Sequence, residues 1–369
     1  MYDIIHLSKS VQIMKPLQIA LLPGDGVGVE VTAAAWEVLQ AAARLYRFGL
    51  VGKSYPWSCE YYLQHGCMMP ADGIETLRAY DAILLGAVGW PQKVPDSVSL
   101  HGLLLAIRKA FDLYVNVRPH KLLRGVIGPL RAPAFDILCL RENTEGEYSG
   151  AGGRVHVGTA NEVAVETAIF TRRGVERILR YAFEQARKRS RRLCSVTKSN
   201  AQRHSMVFWD EVTDAVAADY PDVEVKKSHV DAVAARFVMQ PETLDVVVAS
   251  NLFGDILTDL GAAIQGGLGF AASANINPSG GVPSMFEPVH GSAPDIAGQG
   301  IANPLAAIWS GALMLEHLGQ VEAAAAILRA MQSVTASEGL RAPGGGSAPS
   351  TQQVTRAVLA SLDRSQEPA

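Results

Sequence analysis

The chain has 369 residues, 48% of them hydrophobic, and a net charge of −3 from 33 basic and 36 acidic side chains. That near-balance gives no overall pull toward nucleic acid or an acidic membrane, and the length supports two domains or one elaborate one. The sequence holds no run of about 18 apolar residues able to span a bilayer, and its start lacks the blocks of a signal peptide.

Residues 1–15 read as an extension ahead of the first strand, Leu17 to Pro23. A turn, Gly24-Asp25-Gly26-Val27-Gly28, leads into a helix from Val29 to Leu45, with Val31, Ala35, Val38, Leu39 and Ala42 on one face. The third glycine of a dinucleotide fingerprint would fall on Val29, so this is not the Rossmann motif and reads equally as a tight strand-to-helix turn. A second strand, Ala82 to Leu85, ends in another glycine turn. Strand and helix signals then alternate along most of the chain, which predicts an α/β fold with a largely parallel sheet.

Arg108, Arg118 and Arg141 lie within a short stretch, the latter two beside strand-like runs. Guanidinium groups converging there suit a di- or tricarboxylate, although a single arginine is usually a surface or ion-pair residue. Cys139 sits in the apolar run Phe135 to Leu140 and reads as core; with Cys59, Cys67 and Cys194 it shows no Cys-x-x-Cys spacing, which fits a reduced, cytoplasmic compartment. The Gly- and Ser-rich stretch from Gly146 to Gly158 predicts a protruding arm. Tyr148 and Lys198 follow strands, where ligands gather in α/β proteins, and could form an acid/base pair; each is as readily a packed aromatic and a solvated lysine.

The basic run Arg187 to Arg192 follows the amphipathic stretch Val175 to Ala186 and reads as a helix end complementing its dipole. Asp231 opens an apolar helical stretch, where N-capping is its default explanation. The strand Thr243 to Ala249 feeds into Ser250 to Leu260, whose Asp255 and Asp259 share one helix face. Such a pair is either a solvated face or a candidate hard-cation site. The segment from Ala271 to Gly300, rich in Gly, Pro, Ser and Asn, reads as a long binding loop. Its rigid turns around His290 suit a nucleotide, and Asp295 could accept ribose hydroxyls. Helices from Leu305 to Leu318 and Glu322 to Met331 follow. The tail after Leu340 reads as a Gly-rich loop and a last helix.

Four segments together resemble the β-decarboxylating dehydrogenases, which act on isopropylmalate, isocitrate, homoisocitrate and tartrate or D-malate. They are Arg141-Glu142-Asn143-Thr144-Glu145-Gly146-Glu147-Tyr148, Thr197-Lys198-Ser199-Asn200, Asn251 to Asp259 and Glu287 to Gly298. The resemblance implies a two-domain isopropylmalate/isocitrate dehydrogenase-like fold: a larger domain of residues 1–113 plus 266–369 with the NAD site, and a smaller one of residues 114–265 with the dimer interface. It implies a homodimer with shared active sites, possibly assembling further. Asp255 and Asp259 of one subunit and Asp231 of the other would hold Mg²⁺ or Mn²⁺. Arg108, Arg118 and Arg141 would clamp the substrate, Lys198 from the partner subunit would assist loss of the C2 hydroxyl proton, and Tyr148 would protonate the product enolate.

NAD would lie on the loop of His290, Gly291, Ser292, Asp295 and Ile296, with Asn303 at the adenine and Asn200 and Glu287 on the nicotinamide side. Relatives that prefer NADP carry Lys-Tyr where this chain has Asp295-Ile296, so NAD is expected. A monovalent cation such as K⁺ is a further expectation. Leu104 and Leu105 form an apolar wall that disfavours isocitrate. His101 matches neither the Glu of isopropylmalate enzymes nor the Trp of tartrate/D-malate enzymes, and Ala201-Gln202-Arg203-His204, which would face the substrate tail, departs from the tartrate/D-malate branch. Several long runs look most like the tartrate/D-malate branch, with 3-isopropylmalate the alternative substrate. A regulatory paralogue would have lost acid/base or metal residues, which this chain keeps.

Overall fold

The computed structural model describes residues 15–130, 134–337 and 349–364. In chain order the elements are β1 (Leu17–Gly24), α1 (Gly28–Tyr46), β2 (Leu50–Ser54), α2 (Cys59–His65), α3 (Gly73–Arg78), β3 (Ala82–Ala87), α4 (Asp96–Ser99), a π-helical turn (Leu100–Leu104), α5 (Leu105–Ala110), β4 (Val115–Lys121), β5 (Asp136–Glu142), β6 (Gly146–Val155) and β7 (Val163–Ile169). There follow α6 (Arg172–Arg187), β8 (Arg192–Thr197), α7 (Ser205–Ala217), β9 (Glu224–His229), α8 (Val230–Met239), β10 (Val246–Ala249), α9 (Asn251–Ile264), β11 (Ala272–Ile276), β12 (Ser284–Pro288), α10 (Leu305–His317), α11 (Val321–Ala336) and α12 (Thr351–Arg364).

Ten strands form one sheet in the order β2-β1-β3-β12-β11-β4-β5-β10-β8-β9. Six of its pairings are parallel. The three antiparallel ones sit together at the middle, β12 to β11, β11 to β4 and β4 to β5. The expected α/β fold with a mixed, largely parallel sheet is therefore present. Both faces are covered, and the strands read accordingly as apolar runs that alternate between two cores. Ile19, Leu21, Leu84, Val246 and Val248 join α1, α6, α7 and α10 to α12 in one core across the whole sheet. The opposite face is divided. Ala20, Leu22, Ile83 and Leu85 pack with α2, α3 and α5, whereas Ile137, Cys139, Val196, Val247 and Ala249 pack with α8 and α9.

The glycines of the first turn serve backbone packing. Gly24 and Gly26 have φ of +70° and +57°, and a Cβ would lie 1.9 Å from the Ala87 carbonyl oxygen and 2.0 Å from that of Ser292. Among the described residues no helix is long and apolar enough to cross a membrane.

Two expectations are corrected. The stretch 271–300 is not one long loop, because it contains β11 and β12, both wholly buried. Ala272, Ala274 and Ile276 face the large core, while Ser273 and Asn275 on the other face disguise the strand. Asp231 does not cap α8: the cap position is His229, and the Asp231 carboxylate accepts from Lys198 Nζ at 2.7 Å. The basic run begins in the last turn of α6, as expected of a helix end, and its arginines also form ion pairs, Arg187 to Asp222 at 2.7 Å and Arg189 to Asp136 at 2.9 Å and to Asp245 at 2.5 Å. The extension and the Gly-rich loop of the tail lie outside the described residues, apart from the ends that adjoin β1 and α12.

His120 of β4 is fully buried, its ring against Gly261 of α9 and beside the Gln265 side chain. Burial, then the charge of Arg118, pushes its pKa down to about 3. The fold accepts only the neutral ring. Stability from this group is therefore complete above the unfolded pKa near 6.5 and is lost as pH falls toward 3. Moving from pH 7 to pH 5 should cost about 2 kcal/mol through His120 alone. Urea unfolding of His120→Gln across that range should show a correspondingly flatter pH dependence; an unchanged slope refutes the assignment.

Candidate active site

Where the sheet changes direction, its divided face turns polar. Register places Glu287 of β12 opposite Ser273 of β11, Asn275 of β11 opposite Asn116 of β4, and Asn116 opposite Arg141 of β5. Arg118, two residues beyond Asn116, shares that face. All six are buried. Buried polar groups require partners, and these supply one another: Asn116 Nδ2 donates to Ser273 Oγ (2.8 Å) and Asn275 Oδ1 (3.0 Å), and Asn275 Nδ2 donates to Glu287 Oε1 (2.8 Å). This belt floors a cleft of about 630 Å³.

Helices wall the cleft on both sides. On one side stand the π-helical turn and α5, bringing His101, Leu104, Leu105 and Arg108 to the lining. π-Helical turns widen a helix locally and recur at functional sites. On the other side stands α9, bringing Asp255. Tyr148 of β6 and the segment Glu287 to Gly291 complete the lining.

The charges are tightly arranged. Arg108 Nη2 donates to Glu287 Oε1 at 2.6 Å. Arg118 Nη1 donates to Thr258 Oγ1 at 2.6 Å, and its Nη2 lies 3.5 Å from Asp255 Oδ1. Arg141 donates through Nε and Nη2 to Asn251 Oδ1 (2.9 and 2.8 Å) and through Nη1 to Asp255. Tyr148 Oη donates to Asp255 Oδ2 at 3.1 Å. Burial, then the neighbouring Arg118, pushes the Arg141 pKa down to about 9. Burial, then the Asp255 charge, raises the Tyr148 phenol, so its proton is held firmly at neutral pH. Asp259, 3.8 Å from Arg118, is raised by burial foremost and by Asp255.

The remaining predicted residues lie elsewhere. Lys198 and Asp231 pair with each other outside the cleft lining, and Asn200 and Ala201 are exposed beyond β8. Asp295 is exposed and Ile296 half-buried on the turn after Gly291. Ser292 is buried, its hydroxyl donating to the Gly89 carbonyl. Asn303 Oδ1 accepts from Leu305 N at the start of α10 (3.1 Å).

The family description "Isocitrate/isopropylmalate dehydrogenase" matches residues 18–358. The chain belongs to the isocitrate/isopropylmalate dehydrogenase family. It is 53% identical to the D-malate dehydrogenase [decarboxylating] of Escherichia coli (strain K12), over 94% of this chain and 98% of that protein. Identity to the tartrate dehydrogenase/decarboxylase of Pseudomonas putida is also 53%, over 94% of this chain and 98% of that one. The crystal structure of isocitrate dehydrogenase from Methylococcus capsulatus superposes with a TM-score of 0.84 at 35% identity, covering 94% of this chain and 99% of the other. This member of the family is an oxidoreductase acting on a CH–OH group with decarboxylation.

Two features of the dehydrogenase bear on its cofactors. Asp255 and Asp259 present hard oxygen donors one helical turn apart, as a divalent cation requires. Among the described residues no third His, Cys, Asp or Glu joins them. His290 Nε2 is buried with no partner, and Gly291 has open space where a side chain would stand. Behind that loop a second hollow of about 430 Å³ opens between Gly26, Trp90 and Gly298. This edge thus offers an unpartnered ring nitrogen and open space to a ligand.

Sequence reasoning missed Asn251, Thr258 and Asn143, which hold the arginines in place, and Glu147, which lines the cleft. All four lie inside segments already singled out, so each signal was present but lacked a partner to give it meaning. Removing one member of a buried ion pair leaves the other uncompensated. Glu287→Ala should therefore cost about 3 kcal/mol in denaturant unfolding, and a midpoint equal to that of the parent would show that Arg108 is satisfied without it.

Proposed function

We propose that this dehydrogenase oxidatively decarboxylates a malate-type 2-hydroxy dicarboxylate, D-malate or tartrate foremost, with NAD and Mg²⁺ or Mn²⁺. The observation that carries this reading is the convergence of Arg108, Arg118 and Arg141 with Asp255 and Tyr148 on one cleft. Three guanidinium groups suit a dianionic substrate, and the short apolar wall of Leu104 and Leu105 suits a small one. The malate and tartrate relatives support the same choice.

The chain's own groups divide the work. The arginines orient the carboxylates and thereby fix C2 toward the edge formed by His290 and Gly291. Asp255 and Asp259 would hold the divalent cation and the His290–Asn303 segment the dinucleotide, with Asp295 at the ribose. When bound, the metal supplies Lewis-acid polarisation at the C2 oxygen and NAD accepts the C2 hydride. Tyr148 keeps its proton at Oη and is the acid for C3 once CO₂ has left.

Lys198, the group proposed to take the C2 hydroxyl proton, stands paired with Asp231 outside this chain's own cleft lining. That supports a homodimer in which Lys198 and Asp231 of a second copy complete the site. The β6–β7 ribbon supports it too. Val155, Val163, Val165 and Ile169 are exposed on a two-stranded sheet, and such ribbons are marginal in water unless covered. The division into a larger domain (1–113 plus 266–369) and a smaller one (114–265) belongs to the same proposal, with the cleft between them.

A panel of malate derivatives assayed for NADH formation with Mn²⁺ should rank D-malate or tartrate above 3-isopropylmalate by kcat/KM; no turnover of any of them refutes the reading. Asp255→Asn should lower kcat by about 100-fold or more and weaken Mn²⁺ binding in calorimetry, with folding intact; unchanged Mn²⁺ affinity removes Asp255 from the metal site. Asp295→Lys combined with Ile296→Tyr should shift the NADP-to-NAD preference upward, and a parent that already prefers NADP overturns the cofactor assignment.

A further inference from the structure

The segments that carry Arg108 and Arg141–Tyr148 meet outside the cleft on one side chain of α6, Arg177. Its Nη1 and Nη2 donate to the two oxygens of Asp112 at 2.6 and 3.0 Å. Nη2 also donates to Thr144 Oγ1 at 2.7 Å, and the guanidinium lies 4.1 Å from the centroid of the Tyr114 ring. Arg177 is only 17% exposed and lines no part of the cleft.

Each end of this grip secures something that reaches the cleft. Asp112 has φ of +45°, a left-handed conformation that ends the helix bearing Arg108. Its amide donates to the Lys109 carbonyl, and that of Leu113 to the Arg108 carbonyl at 2.9 Å. Such a turn persists when its side chain is held. Thr144 belongs to the turn between Arg141 and Tyr148. Thr144 N and Glu145 N donate to the Glu142 carboxylate at 3.0 and 2.8 Å, and Thr144 Oγ1 donates to it at 2.6 Å. Asn143 closes the gap between the two segments: its Nδ2 donates to the Leu113 carbonyl at 3.0 Å and its Oδ1 accepts from Arg108 Nη1 at 3.4 Å.

We propose that Arg177 is a positioning residue, a three-point clamp that sets the Arg108 helix end and the Arg141–Tyr148 turn at a fixed spacing across the cleft. A lysine presents no planar fork and cannot hold Asp112 bidentately while reaching Thr144. The roles of Arg108 and Tyr148 used here rest on the proposed function. The clamp itself does not.

The test separates its two ends. Asp112→Asn loosens the Arg108 end and should raise KM by roughly threefold with kcat little changed. Thr144→Val loosens the Tyr148 end and should lower kcat by about tenfold with KM little changed. Arg177→Lys should show both effects. Uniform losses in the three variants, tracking melting temperature, would mean a merely structural role and overturn the proposal, as would parental kinetics in Arg177→Lys. Amide exchange in the unliganded protein reads the clamp without activity. Residues 142–148 should exchange faster in Arg177→Lys and Thr144→Val than in the parent, while β5 before them stays protected. Parental exchange there refutes the clamp even if the enzyme turns over none of the proposed substrates, and faster exchange without turnover would leave the clamp standing while the functional reading fell.

Discussion

Three guanidinium groups held against one another in a buried cleft are the constraint around which the molecule is arranged. Like charges in a low-dielectric site repel strongly, and burial with Arg118 alongside already depresses Arg141. Glu287 neutralises Arg108, and Asp255 is shared between Arg118 and Arg141. Asp259 stands farther off with its side chain 65% exposed. Such a site suits further negative charge, as the proposed dicarboxylate would bring.

The sheet makes this arrangement tolerable. A parallel sheet covered on both sides offers apolar surface everywhere, and polar groups could be buried in it only where partners come with the strands. The three antiparallel pairings bring Asn116, Ser273, Asn275 and Glu287 side by side, so the arginines rest on a floor whose members hydrogen-bond one another. The helices on either side pack on separate apolar patches, and the belt lies between them, with α9 reaching it through Asn251 and Thr258.

Much of this was legible in the chain. Val246 to Ala249 and Ala82 to Leu85 read as strands because both of their faces are apolar, and the spacing of Asp255 and Asp259 put them on one helix face. β11 was not legible, since alternating alanine with serine and asparagine looks like a loop until each face is known to meet a different environment. The N-cap expected of Asp231 failed because α8 begins one residue earlier, at Val230, which puts Asp231 inside the first turn, where its carboxylate meets Lys198. The clamp at Arg177 was invisible for a simpler reason. Its partners Asp112 and Thr144 are 65 and 33 residues away, and no local pattern encodes such distances.

The buried pair of Arg108 and Glu287 spans 179 residues, and Asn116 waits 157 residues for Ser273. During synthesis all three arginines emerge well before the strands that complete their floor. The chain must close these long loops late, and such non-local pairing slows folding. Until β11 and β12 arrive between β3 and β4, the two halves of the sheet have no seam to join them. A nascent chain stalled after α9 would carry the arginines and Asp255 yet lack the middle of the sheet, so the catalytic cleft is among the last features that translation can deliver.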